Sequence, residues 1–118
     1  MIHTVNAEGF DLTPKLQKYT ASKVKDIQKY IPRKAREAAV LAIHFKEAKK
    51  GQEKTCTLAL QLPQDTLAAK ETTTHMYAAF DIAVVEIRRQ LAEYKSKHSK
   101  YGLRHRFARR LKREKVEA

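Results

Sequence analysis

Two stretches of strict alternation constrain the fold more than any other feature of the chain. Between Glu37 and Lys46 the residues Leu41, Ile43 and Phe45 share one side of an extended backbone, and between Lys54 and Leu62 the residues Cys56, Leu58, Leu60 and Leu62 do the same. Successive side chains of a strand point to opposite faces, so a period of two marks strands with one buried face. The intervening "EAKKGQE" contains Gly51 and no large apolar residue, as a hairpin connection should. Two antiparallel strands are therefore expected, and their apolar face needs a cover.

The chain supplies that cover on both sides of the hairpin. In "MYAAFDIAVVEIRRQLAEYKSK", from Met76 to Lys97, the residues Met76, Phe80, Ala83, Val84, Ile87, Leu91 and Tyr94 recur at three- and four-residue steps. That spacing lays them along one stripe of a helix. Upstream, Leu16, Thr20, Val24, Ile27 and Ile31 mark a second stripe, with Lys15, Lys18, Lys25 and Lys29 on the opposite side. Thr13 can cap that helix, Pro14 suits its first turn and Pro32 stops it. "HTVNAEGFDL" before it reads as a strand. After the hairpin, Pro63-Gln64-Asp65 turns the chain into "TLAAKETT", a third short strand, before Thr73 or Thr74 caps the last helix.

The expected order is thus β-α-β-β-β-α, an α+β fold with a four-stranded sheet. A strand, helix and strand in succession favour a right-handed crossover, so the first strand should pair in parallel with the second. The later strands then form a meander and both helices share one sheet face. With 118 residues and 42% hydrophobic content the chain suits one core. Residues 1–97 form the expected domain and residues 98–118 a basic tail. That tail holds eight Lys or Arg against two Glu, half of the net charge, and one short apolar rhythm of Leu103, Phe107 and Leu111. It has too little apolar surface to fold without a partner.

Charge narrows the function further. Lys and Arg number 25 against 13 acidic residues, a formal net charge of +12, which points to a polyanionic partner. One cysteine cannot close an internal disulfide, and "MIHTVNAEGF" has neither the charged start nor the apolar run of a secretory signal. A cytoplasmic protein is expected. No apolar stretch approaches the roughly 20 residues that span a bilayer, which leaves adsorption of a basic helix on an anionic membrane as a minor alternative.

Catalysis finds little support. None of the three glycines belongs to a phosphate-cradling loop, and Cys56 sits on the apolar face of a strand, where a thiol is a small core residue. The five histidines, His3, His44, His75, His98 and His105, are scattered without ligand spacing, so neither metal nor cofactor is expected. The basic residues say more. "YGLRHRFARRLKR" interleaves aromatics with Arg104, Arg106, Arg109 and Arg110, a composition that pairs with phosphates and stacks on bases. On the last helix Asp81, Arg88 and Lys95 fall on one flank beside Tyr77, with Arg89 further round. An Asp81 to Arg88 contact along the helix is the purely structural reading of that flank. Lys23 lies at the stripe edge near Tyr19 and Tyr30, where it either snorkels past them or lines the seam between the helices.

These residues resemble a known family. "LTPKLQKYTASKVKDIQKYI", two strands, then "HMYAAFDIAVVEIRRQLAEYKSK" are similar to the short ribosome hibernation-promoting factors, which include the ribosome-associated inhibitor protein Y. The similarity spans residues 2 to 97 and is most specific at Met76-Tyr77-Ala78-Ala79 with Asp81, then Arg89-Gln90-Leu91. It implies the β-α-β-β-β-α fold read above, like double-stranded-RNA-binding domains in having two helices on one sheet face. It also implies binding to the small ribosomal subunit, chiefly its rRNA, in the channel used by messenger RNA and the A- and P-site tRNAs, silencing translation in stationary phase or stress. No small-molecule substrate and no membrane is implied, and the protein should act as a monomer.

The family's basic positions match Lys23, Arg89 and Lys97. Asp26, Glu86 and Glu93 stand where relatives carry basic residues, so neighbouring Lys25, Arg88 and Lys95 are expected to take over, with Lys29 on the same helix and the four tail arginines extending the rRNA-binding set. His75 replaces the usual acidic residue before Met76, which moves the helix cap to a threonine. Long members append a second domain; nothing comparable fits after Lys97, so the short form is expected. Two rivals remain at this stage: a general structured-RNA-binding protein or chaperone, and a small nuclease, which lacks an acid/base or metal constellation.

Overall fold

The computed structural model describes residues 1–48 and 52–98. Its elements run β1 (Ile2–Glu8), α1 (Pro14–Tyr30), α2 (Arg33–Arg36), β2 (Val40–Glu47), β3 (Lys54–Leu62), β4 (Asp65–Thr73) and α3 (Met76–His98). One four-stranded sheet has the order β1-β2-β3-β4, with β1 parallel to β2 and the other pairs antiparallel. This is the expected topology. Register follows the alternation: Leu41 faces Leu60, Ile43 faces Leu58 and Phe45 faces Cys56 across the β2–β3 ladder. All six are buried, so one side of the hairpin supplies the floor of the core.

The helices roof that floor. Every residue of both predicted stripes is buried, from Leu16 to Ile31 along α1 and from Met76 to Tyr94 along α3. Phe45 and Phe80, with ring centroids 5.7 Å apart, join sheet to helix. Thr20 is the one polar member, and its hydroxyl donates back to the Leu16 carbonyl at 2.7 Å, which satisfies it inside apolar surroundings. Thr13 caps α1 by accepting from the Leu16 amide at 3.2 Å, as read from the sequence.

Three local details differ from the sequence reading. Pro32 does end α1, but it also starts the single helical turn α2, so β2 begins at Val40. The third strand of the meander, β4, is as long as β3, nine residues each. At the start of α3 it is the His75 carbonyl that accepts the first helical bond, from Ala79 at 3.0 Å, while the Thr73 hydroxyl accepts from the His75 amide at 3.0 Å. Threonine thus braces the residue at the cap position instead of occupying it, because Thr73 is still held in β4.

Candidate nucleic-acid interface

The cationic surface begins on α1. Lys15, Lys18, Lys25 and Lys29 are all exposed on the side away from the sheet. Asp26 interrupts them only weakly, its carboxylate lying 3.9 Å from Lys29 Nζ with both side chains at least half exposed. Just beyond, the turn α2 presents Arg33 and Lys34 to solvent. Neither was in the sequence-derived set, although "RKAR" directly after a helix stop was the available signal.

Between the helices the flank residues find partners that no single helix could disclose. Asp81 does not meet Arg88. It accepts a hydrogen bond from the Tyr19 hydroxyl of α1, while Arg88 donates to the Tyr30 hydroxyl and sets its guanidinium 4.4 Å from the Tyr30 ring centroid. Tyr19 is near the start of α3 and Tyr30 near its middle, so the two helices run side by side in the same direction. Lys23 Nζ lies 5.6 Å from the Tyr19 centroid, and Tyr19 packs edge to face on Tyr77 at 5.0 Å. Lys23 therefore lines the seam, half-buried. The hydrogen bond to Asp81, with burial, pushes the Tyr19 hydroxyl up to about 12.

The open face of α3 has a different character. Arg89 is clasped by Glu86, one turn before it, at 2.5 and 3.1 Å, and by Glu93, one turn after it, at 2.8 Å. The Arg89 bond and then one from Gln90 hold the Glu86 carboxyl down to about 2, and the same Glu86 contact raises Arg89 above its usual range. The i, i+3 and i, i+4 spacings foretell this clasp, whereas the family resemblance marks Glu86 and Glu93 only as departures from a basic pattern. Gln90 also reaches the sheet edge, donating to the Ala68 carbonyl at 2.8 Å and accepting from its amide at 3.3 Å. Lys97 borders, with Arg89, Glu93, Tyr94 and the start of β4, an open cleft of about 450 Å³ whose charges are mixed. Lys95 is exposed on the Arg88 flank.

Of the sequence-derived set, then, the fold brings Lys23 and Arg88 to one seam, keeps Lys25 and Lys29 on the α1 face, and leaves Arg89 engaged by carboxylates. Arg104, Arg106, Arg109 and Arg110 lie outside the described residues. Cys56 is fully buried and burial pushes its thiol up to about 12, which agrees with a core role. No group of three or more His, Cys, Asp or Glu able to hold a metal occurs among the described residues, and none of their helices is long and apolar enough to cross a membrane.

The family described as sigma 54 modulation protein / S30EA ribosomal protein matches residues 3–99. The chain belongs to that family. This is the family of the hibernation-promoting factors and protein Y, whose members are ribosome-associated and not enzymes, and the chain shares that character. Among solved structures it is similar to a ribosomal subunit interface protein from Coxiella burnetii, at 25% identity and a TM-score of 0.67 over 81% of this chain and 99% of that one. It is also similar to the N-terminal domain of Thermus thermophilus protein Y, at 18% identity and a TM-score of 0.67 over 80% and 99%. At that identity the second likeness speaks for the fold alone. No curated protein matches the chain significantly.

Proposed function

We propose that this S30EA-family protein is a hibernation factor that lies in the mRNA and tRNA channel of the small ribosomal subunit and blocks translation in stationary phase or stress. The supporting observation is a lysine face on α1, continuous with a cation-lined seam, in a domain of a ribosome-associated family. Ribosomal RNA in a preformed cleft offers phosphates, 2′-hydroxyls and a few unstacked bases, which a compact basic wedge can grip by shape and charge without reading sequence. Inhibition is then occlusion: messenger and tRNA anticodon stems need the same volume, and no chemistry is required.

Within this reading Lys23, Lys25, Lys29, Arg88, Lys95 and Lys97 contact rRNA, Arg89 does so after leaving its carboxylates, and the tail from His98 adds its arginines. The domain of residues 1–97 acts as a cytoplasmic monomer. The test is co-sedimentation with purified small subunits in the presence of excess unrelated structured RNA, followed by displacement with messenger RNA and tRNA. Retention against competitor RNA and release by tRNA are expected. Loss to competitor RNA would instead identify a general RNA binder.

A further inference from the structure

Tyr30 is the one exposed Phe or Tyr ring among the described residues, with 44% of its surface open. The other rings of the seam are committed elsewhere: Tyr19 packs between Tyr77 and Phe80, at 5.0 and 5.9 Å, and bonds to Asp81. Tyr30 instead stands on the last turn of α1, joined to a guanidinium that is itself exposed. Lys29, Arg33 and Lys34 flank it along the chain and all three are exposed. An open ring and an open guanidinium plane, rimmed by cations, make the combination that single-stranded RNA uses: bases stack on the planes while the cations follow the phosphates.

We propose that Tyr30 and Arg88 form a stacking platform for one unstacked nucleobase of RNA. The inference rests on the ribosomal-RNA reading above and adds a base contact to a surface otherwise recognising phosphates. Stacking is indifferent to base identity, since every base has a π face. The hydroxyl bond from Arg88 fixes how the two planes sit, so the platform exists before RNA arrives. A purely structural alternative makes the same pair a strut holding α1 to α3.

Binding to purified small subunits across a salt titration separates these. Tyr30→Ala should weaken binding about tenfold, the loss of one stacked base, with the slope of log affinity against log salt unchanged because no phosphate contact is lost. Arg88→Gln should weaken binding and also reduce that slope by about one. Tyr30→Phe, which keeps the ring and loses the hydroxyl that fixes the two planes, should bind more weakly than the parent but more tightly than Tyr30→Ala. The chain has no tryptophan, so Tyr30→Trp introduces a single indole whose emission should be quenched on adding subunits. Parent-like affinity of Tyr30→Ala, or Tyr30→Phe as weak as Tyr30→Ala, or unquenched Tyr30→Trp bound to subunits, overturns the platform and leaves the ribosomal reading intact. Failure of the parent itself to bind subunits overturns both.

Discussion

Gln64 carries a φ of 69° in the two-residue connection of Pro63 and Gln64 between β3 and β4. Proline presets the first position of such a turn, but the second needs a left-handed backbone that costs a side-chain-bearing residue about 1–2 kcal/mol. Gly9 is the opposite case, with a φ of 88° and no room for a Cβ, which would run into the Glu47 carbonyl oxygen. Two substitutions should therefore move stability in opposite directions. Gln64→Gly should raise it by about 0.5–1 kcal/mol, after allowing for the entropy glycine loses, and Gly9→Ala should lower it by at least about 1 kcal/mol. Urea unfolding at constant slope would read both; a destabilised Gln64→Gly would mean that the turn uses its side chain.

At the scale of one element, α3 divides its labour by face. The stripe from Met76 to Tyr94 closes the core, Gln90 pairs with the backbone of edge strand β4, and the outermost face bears the Glu86-Arg89-Glu93 clasp. Two carboxylates on one guanidinium occupy the donors a phosphate would use, so under the proposed function RNA has to displace them to reach Arg89. A carboxyl with a depressed folded pKa contributes stability above its unfolded value and loses it as pH falls through the folded one. For Glu86 that window runs from the ordinary 4.5 down to about 2. Near neutrality the clasp is fully charged, and salt or phosphate opens it rather than protons. Glu86→Gln combined with Glu93→Gln should tighten binding to small subunits severalfold and steepen its salt dependence, measured by the same titration. Unchanged or weaker binding would mean that Arg89 never meets RNA.

For the whole molecule, apolar packing and charge are placed in different parts of the chain. Every buried residue of the described core lies between Leu16 and Tyr94, whereas half of the net charge of +12 comes after Lys97. Truncation after Lys97 should therefore leave the melting temperature nearly unchanged while raising the dissociation constant for subunits and flattening its salt slope, since fewer counterions are released. Calorimetry and the salt titration together check this. A large fall in melting temperature, or strong amide protection between Leu103 and Lys112 in free protein, would show that Leu103, Phe107 and Leu111 belong to the core.

The elements and the core were legible because periodicity is a local property. A strand alternates and a helix returns every three or four residues wherever it sits, so the stripes of α1 and α3 and the matched faces of β2 and β3 could be read one segment at a time. The helix between β1 and β2 then pointed to their parallel pairing, because parallel neighbours need a crossover connection whereas a tight turn joins antiparallel ones. Charged side chains obey no such local rule. Asp81 has Arg88 available on its own helix and Tyr19 on the next, and Arg88 likewise has Tyr30. Which contact forms depends on α1 lying alongside α3 in the same direction, a relation set by the packing of both helices on the shared sheet and written in neither helix alone.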